Sequence, residues 1–373
     1  MSVTQNATAT WAADSSISTD LERIGLITRI DMTVELTPSA TLTAAVQPDG
    51  LWRLINNLVI AGGSHTYMNL PSDDGAMGGT LWHYINAHDG FGPGHEAGDV
   101  AAPGETYTPV NFIFHAGSRP RDQYGRDDPF DLSAFIPAHS ETQLTARWVT
   151  SGNDVLDDTV TITSAVMRFL LHRVTGTQQE MMEEMARQRV LTPPGATGMV
   201  PAWSATVHGN AGATTDFDAE TISIVTGAYL KRIATLQQDA TANRPIRASD
   251  QVTELNIRVP KTSEDLYRAN VEYFLSQLPA GTNLTADSGA AVNAAVTTPI
   301  GPDFDGHAAE GIHIIDLRSR ATSLIGRDYG FDLRGQGAGD LLLGLLISNR
   351  AAGDDTLVIW ERYAPYDGTL SGS

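Results

Sequence analysis

The densest set of groups able to do chemistry lies between Trp82 and Glu96, where the chain reads Trp-His-Tyr-Ile-Asn-Ala-His-Asp-Gly-Phe-Gly-Pro-Gly-His-Glu. His83, His88, His95 and Glu96 are ligand types that hold Zn²⁺ or Fe²⁺. Their spacing is poor for that task. The chain has no His-x-His, and His83 and His88 are not separated by the three or four residues that share a helix face. They stand as weak metal candidates only. The pairs Asp73-Asp74, Asp127-Asp128, Asp157-Asp158 and Asp354-Asp355 could collect Ca²⁺, but turn-forming Asp that bonds its own backbone is the stronger reading. Gly335-Gln336-Gly337-Ala338-Gly339 lacks the lysine of a phosphate loop, and Asp340 beside it would repel phosphate. No Gly-x-Ser-x-Gly elbow occurs. Neither a catalytic residue nor a cofactor is therefore expected.

Charge narrows the partners. The 373 residues carry 44 acids and 24 Lys plus Arg, a formal charge of −20. Only Lys231 and Lys261 are lysines; the other 22 cations are arginine. Direct binding to a nucleic-acid backbone needs clustered Lys and Arg, so it is not expected. Cysteine is absent, which removes disulfides, thiolate metal sites and cysteine nucleophiles. The longest apolar run, Leu341 to Ile347, is far short of the roughly 20 residues a helix needs to cross a bilayer. No signal peptide is visible at the amino terminus.

The elements that must position these groups are mostly strands. Ile30, Met32, Val34 and Leu36 alternate with Arg29, Asp31, Thr33 and Glu35, the period of a strand with one buried face. Further strands are predicted at 58–60, 107–115, 144–150, 159–168, 221–226, 229–236, 252–259, 312–317, 341–347 and 356–363. Helices are predicted at 80–88, 177–190 and 263–278. The last has Ser263 as cap and a stripe of Leu266, Tyr267, Val271, Phe274, Leu275 and Leu278. Met181, Met182 and Met185 of the middle helix are expected to pack it onto its own domain. Pro193-Pro194-Gly195 then stops that helix and favours an extended connection.

Two halves rhyme. Tyr124-Gly125, then Phe130-Asp131-Leu132, is matched by Tyr329-Gly330-Phe331-Asp332-Leu333. Asp157-Asp158-Thr159 is matched by Asp354-Asp355-Thr356, and Gly25 to Ile30 by Gly227 to Arg232. Order and spacing both agree, as a duplicated β unit requires. The expected fold is all-β, two consecutive jelly-roll sandwiches with a few short helices. Residues 1–20 are read as an amino-terminal arm, 21–176 as the first jelly roll, 177–200 as helix plus linker and 201–373 as the second jelly roll. The arm is polar, with Trp11 and Ile17 its only sizeable anchors, and reads as either a disordered tail or an arm that orders on neighbours.

This order of elements resembles the double jelly-roll major capsid proteins of tailless icosahedral viruses with an internal membrane, the tectivirus-like and adenovirus-hexon-like lineage. The opening Arg23-Ile24-Gly25-Leu26-Ile27-Thr28-Arg29-Ile30, followed by Leu51-Trp52-Arg53-Leu54-Ile55-Asn56-Asn57-Leu58-Val59-Ile60-Ala61-Gly62-Gly63, is in the style of phage proteins of this kind. The resemblance implies a homotrimer acting as a pseudo-hexagonal tile in a virion shell assembled in the host cytoplasm. It also implies penton and membrane-associated virion proteins as partners, above a lipid membrane. Trp11, Ile17, Arg119, Arg121, Arg126, Arg318, Arg320 and Arg327 are the candidates for contacts between subunits. Two other functions are consistent with a β-sandwich. One is recognition of carbohydrate or a receptor through Trp11, Trp52, Trp82 and Trp203. The other is a cupin-like metalloenzyme using the histidine stretch.

Overall fold

The computed structural model describes residues 1–10, 12, 15–38, 55–70, 78–89, 110–121, 124–150, 162–209, 218–239, 246–247, 252–270, 311–347 and 353–370. The first half forms β1 (Ser2–Thr10), β2 (Ser16–Asp20), β3 (Leu26–Pro38), β4 (Ile55–Gly62), β5 (Thr66–Asn69), helix α1 (Gly78–His88), β6 (Val110–His115), β7 (Leu144–Thr150) and β8 (Ile162–Val174). A second helix, α2 (Gln178–Arg187), leads to β9 (Gly198–Pro201). The second half forms β10 (Trp203–Gly209), β11 (Asp218–Ser223), β12 (Tyr229–Asp239), β13 (Ile246–Arg247), β14 (Val252–Val259), β15 (Glu264–Asn270), β16 (Ile312–Asp316), β17 (Phe331–Asp332), β18 (Leu342–Ile347) and β19 (Asp355–Tyr366).

The wiring is the same in both halves. The first sandwich has sheets β1-β8-β3-β6 and β2-β7-β4-β5, and the second has β10-β19-β12-β16 and β11-β18-β14-β15. Taken in chain order, the two sets of eight strands superpose as first-eighth-third-sixth and second-seventh-fourth-fifth, the jelly-roll pattern. β5 runs parallel to β10 through Trp203↔Met68 and Ser204↔Asn69, so a sheet of one sandwich continues into a sheet of the other.

Burial explains the strand sequences. β3 hides Ile30, Met32 and Val34 on one face, as its alternation predicts. β19 is apolar without alternation because both faces are covered. Val358 and Trp360 face the second core, while Leu357 and Ile359 join the core shared with the first half. Helix α1 sends Leu81, Trp82, Tyr84 and Ile85 into that shared core. Helix α2 has the expected start: Thr177 and Glu180 form a reciprocal capping box. Met181 and Met185 are buried under it and pack the helix onto the chain itself, whereas Met182 is exposed.

Two expectations need correction. Residues 264–270 are a strand paired to β14, not the start of a helix. Tyr267 and Ala269 pack on the second core while Leu266 is exposed, so ladder bonds to β14 outweigh the helical stripe. Residues 271–278 lie outside the described residues. The expected arm also forms part of this chain's own first sandwich. β1 pairs with β8 and β2 with β7, and Ile17 packs against the first core. These are edge strands of Ser, Thr and Ala, too polar to show a buried face in the sequence.

Candidate functional site

Residues from both halves converge on a buried set of charges at the seam between the sandwiches. The backbone places them through a shared irregularity. β3 has an extra residue, Thr28, opposite β8, and β12 has one, Lys231, opposite β19. Such a bulge turns an additional side chain inward. The next residue in each case is an arginine, Arg29 or Arg232, at the same register position of its sheet. Carbonyls of both bulge residues accept from the sixth strand's end, Ala116 N to Thr28 O at 3.0 Å and Leu317 N to Lys231 O at 2.9 Å.

Lys231 Nζ lies 2.7 Å from Glu361 Oε1, and each side chain is only 1% exposed. Arg232 donates through Nε to the other Glu361 oxygen. Its terminal nitrogens reach across the seam to Asp89, at the end of α1, with two bonds of 2.7 Å. Tyr363 donates to Glu361 at 2.8 Å and to Gly117 O, in the first half, at 3.3 Å. Arg318 forks onto Asp316 and reaches Ser118 O at 3.5 Å. Tyr329 donates to Ser133 O at 2.5 Å. Three cations (Lys231, Arg232, Arg318) thus face three anions (Asp89, Asp316, Glu361), a neutral set.

The electrostatics follow from that balance. Burial alone would push the Asp89 carboxyl up, but Arg232 and then Lys231 outweigh it and hold it well below the usual carboxylate range. Burial likewise opposes ionisation of Asp316, and the bond from Arg318 overcomes it, leaving a pKa of about 2. Burial and then Arg232 lower the Lys231 ammonium, with Glu361 opposing them. Burial, joined by Arg29, pushes His115 down to about 3, and burial pushes His313 down to about 4. Breaking one partner of such a set costs about 3–5 kcal/mol, because a buried charge is then uncompensated. The arrangement locks two sandwiches in one orientation.

The sequence-derived candidates are distributed as follows. Arg119 pairs with Asp131 at 3.2 Å and donates to Gln188 O, and Arg121 donates to Asp89 O and Gly125 O at 2.6 Å each. With Arg318, these three bond within the chain around the seam. Arg126, Arg320 and Arg327 are exposed, Arg126 over the Tyr124 ring and Arg320 over the Tyr267 ring. His83 and His88 are on α1, with side chains outside the described residues; Trp11, Trp52, His95 and Glu96 lie outside them altogether. Among the described residues no group of three or more His, Asp or Glu could hold a metal ion. Trp82 and Trp203 are buried in the core and cannot stack a sugar. Lys231, Arg232, Asp89 and Glu361 were missed as a site. Their one sequence signal is a Lys-Arg doublet inside the apolar strand Tyr229–Leu236.

No protein-family model matches the chain, and no curated protein matches it significantly. Solved structures do. The STIV MCP is 17% identical, with a TM-score of 0.61, over 97% of this chain and 96% of that one. A chain from the atomic structure of Sulfolobus Turreted Icosahedral Virus is 16% identical, with a TM-score of 0.63, over 98% and 90%. A chain of the PBCV-1 virus capsid is 10% identical, with a TM-score of 0.54, over 97% and 92%. The chain has the double jelly-roll fold of viral major capsid proteins. In this double jelly roll the likeness runs end to end, so both sandwiches and the connection between them share that architecture.

Proposed function

We propose that the chain is a major capsid subunit, a structural protein and not an enzyme. Three copies form a pseudo-hexagonal tile, and tiles close an icosahedral shell. The observation that carries this reading is the doubled, identically wired sandwich fused through β5–β10 and the ionic seam. Three rigid pairs present six similar lobes, as a threefold assembly imitating a hexagon needs. Architecture shared from end to end with capsid chains of two viruses supports the same reading.

The fold and charge suggest further partners. Exposed Arg126, Arg320 and Arg327 are the remaining arginine candidates for contacts between copies. A chain of charge −20 does not suit direct contact with packaged nucleic acid. An underlying lipid membrane, membrane-associated virion proteins and a penton protein complete the expected set, and the protein resides in the virion after assembly in the host cytoplasm. Electron microscopy and mass measurement of the purified chain test this. Trimers with six lobes, or closed shells, are expected. A monomer that never forms either at assembly concentrations overturns it.

A further inference from the structure

The two copies of the duplicated unit treat one loop differently. After the sixth strand each chain segment reaches a Tyr-Gly turn, with the glycine at φ 76° in Gly125 and 78° in Gly330. In the second copy Phe331 follows at once, and Tyr329 is fully buried against Tyr229 and Tyr363. In the first copy Arg126, Asp127, Asp128 and Pro129 intervene before Phe130. Tyr124 there is 74% exposed. It stands beside an open cleft of about 630 Å³ that Tyr124, Phe130, Asp128, Arg121, Arg187 and Arg189 help to line. The tyrosine that plugs the second copy leaves the first one open.

A second observation concerns the cleft's wall at the end of α2. Val190 N donates to Met185 O at 2.9 Å and Arg189 N to Ala186 O at 3.0 Å, the paired bonds of a Schellman ending. The residue after the cap in that motif is ordinarily glycine, since it is left-handed. Here it is Arg189, at φ 54°. A side chain held in a costly conformation where glycine would serve is a mark of use. Arg189 is exposed and has no ion pair among the described residues.

We propose that this cleft receives an acidic peptide segment of another polypeptide, with Arg189 taking a carboxylate and Tyr124 packing along the segment. Arginine forks match carboxylates in a bidentate manner. The same cleft is also lined by Asp127, Asp128 and Asp131. A phosphate dianion offers these carboxylates acceptor oxygens alone, whereas a peptide meets them with N–H donors while its own carboxylate meets Arg189. Met1, Phe130 and Tyr124 supply apolar contact to side chains. The overall charge of −20 does not decide the matter, because salt screens charges beyond about 10 Å. The inference is independent of the shell-protein reading.

Calorimetric titration of the full chain with a hexaglutamate peptide at about 0.1 M salt, where the screening length is about 10 Å, tests it, with inorganic phosphate as a parallel arm. Saturable peptide binding is expected. Arg189→Gly is expected to weaken it at least about tenfold, the loss of one charge-assisted bond, while the unfolding temperature stays level or rises. Tyr124→Ala is expected to weaken it too, and Arg147→Ala, an exposed arginine on β7, to leave it unchanged. Absence of saturable binding, equal binding by Arg189→Gly, equal weakening by Arg147→Ala, or phosphate binding as tightly as the peptide would each overturn the proposal.

Discussion

Replacing Asp89 by Asn changes one oxygen into an amide nitrogen and removes one buried negative charge. Asp89 accepts two bonds of 2.7 Å from Arg232, whose side chain is 1% exposed. Asn can accept only one of them. A hydrogen bond to a charged group contributes about 1.5–3 kcal/mol, and the seam is left with three cations against two anions. The expected cost is about 3–5 kcal/mol, a fall in unfolding temperature of roughly 4–6 °C for a chain of this size. Scanning calorimetry measures it, and a double-mutant cycle identifies its source. Arg232→Met together with Asp89→Leu leaves Lys231 paired one to one with Glu361. The double variant should therefore be more stable than the sum of the single changes predicts, by about 2 kcal/mol. A cost below about 1 kcal/mol for Asp89→Asn, with additive single changes, would refute the view that this network holds the sandwiches together.

Stability should fall as the solution becomes mildly acidic. His115 and His313 have folded pKa values of about 3 and about 4, while an unfolded histidine titrates near 6.5. Below that value the unfolded chain binds more protons, so stability is full above pH 6.5 and declines beneath it. Two such residues lose about 3 kcal/mol from about pH 7.5 to about pH 5.5, which thermal melts across that window would reveal; a flat profile contradicts it. Gly330→Ala should prevent accumulation of folded protein, because its Cβ would lie 2.0 Å from Leu230 O at φ 78°. Gly125→Ala has a similar φ and nothing within 4 Å, so its cost should be only about 1–2 kcal/mol. Equal melting losses for the two would count against the packing described. Amine-reactive labelling of the folded chain should modify Lys261, whose side chain is 76% exposed, and spare Lys231 at 1%. Peptide mapping that finds Lys231 labelled before unfolding would show the seam to be open.

How far the sequence could be read depended on apolar contrast. β3 was legible because Ile30, Met32 and Val34 face a core while Asp31, Thr33 and Glu35 do not. Strand bounds at Leu144–Thr150 and Val252–Val259 match the expectation for the same reason. β1 and β2 were hidden because their pairing uses backbone groups, which carry no residue signature. Leu266 and Tyr267 counted toward a helix by spacing, and only the partner strand β14 decides otherwise. The seam was least legible. Asp89 and Arg232 are 143 residues apart, and no local pattern can announce a pair made by bringing two halves together. The duplication was legible as repeated turns, yet its clearest mark, the bulge before Arg29 and Arg232, has no sequence motif.

That bulge shows how one unit came to serve two places. At Thr28 the inward side chain is a small hydroxyl, bonded to Pro129 O at 2.7 Å and His172 O at 3.2 Å. At Lys231 the same backbone feature delivers an ammonium to Glu361, which stands opposite Arg232 as His172 stands opposite Arg29. In the first copy Arg29 finds its acids within its own sandwich, Asp31 and Asp127, the latter at 2.6 Å. In the second copy Arg232 takes Asp89 from the other sandwich. The repeated strand geometry thus supplies two polar clusters at matching positions, and a change of side chains turns one of them into the bond between sandwiches. The Arg232–Asp89 pair between the sandwiches is a specificity device, since any shift of one sandwich on the other would strand its buried charges. Lys231, one of only two lysines in an arginine-rich chain, is fully buried on the second sandwich's side of that pair, bonded to the same Glu361 that accepts from Arg232.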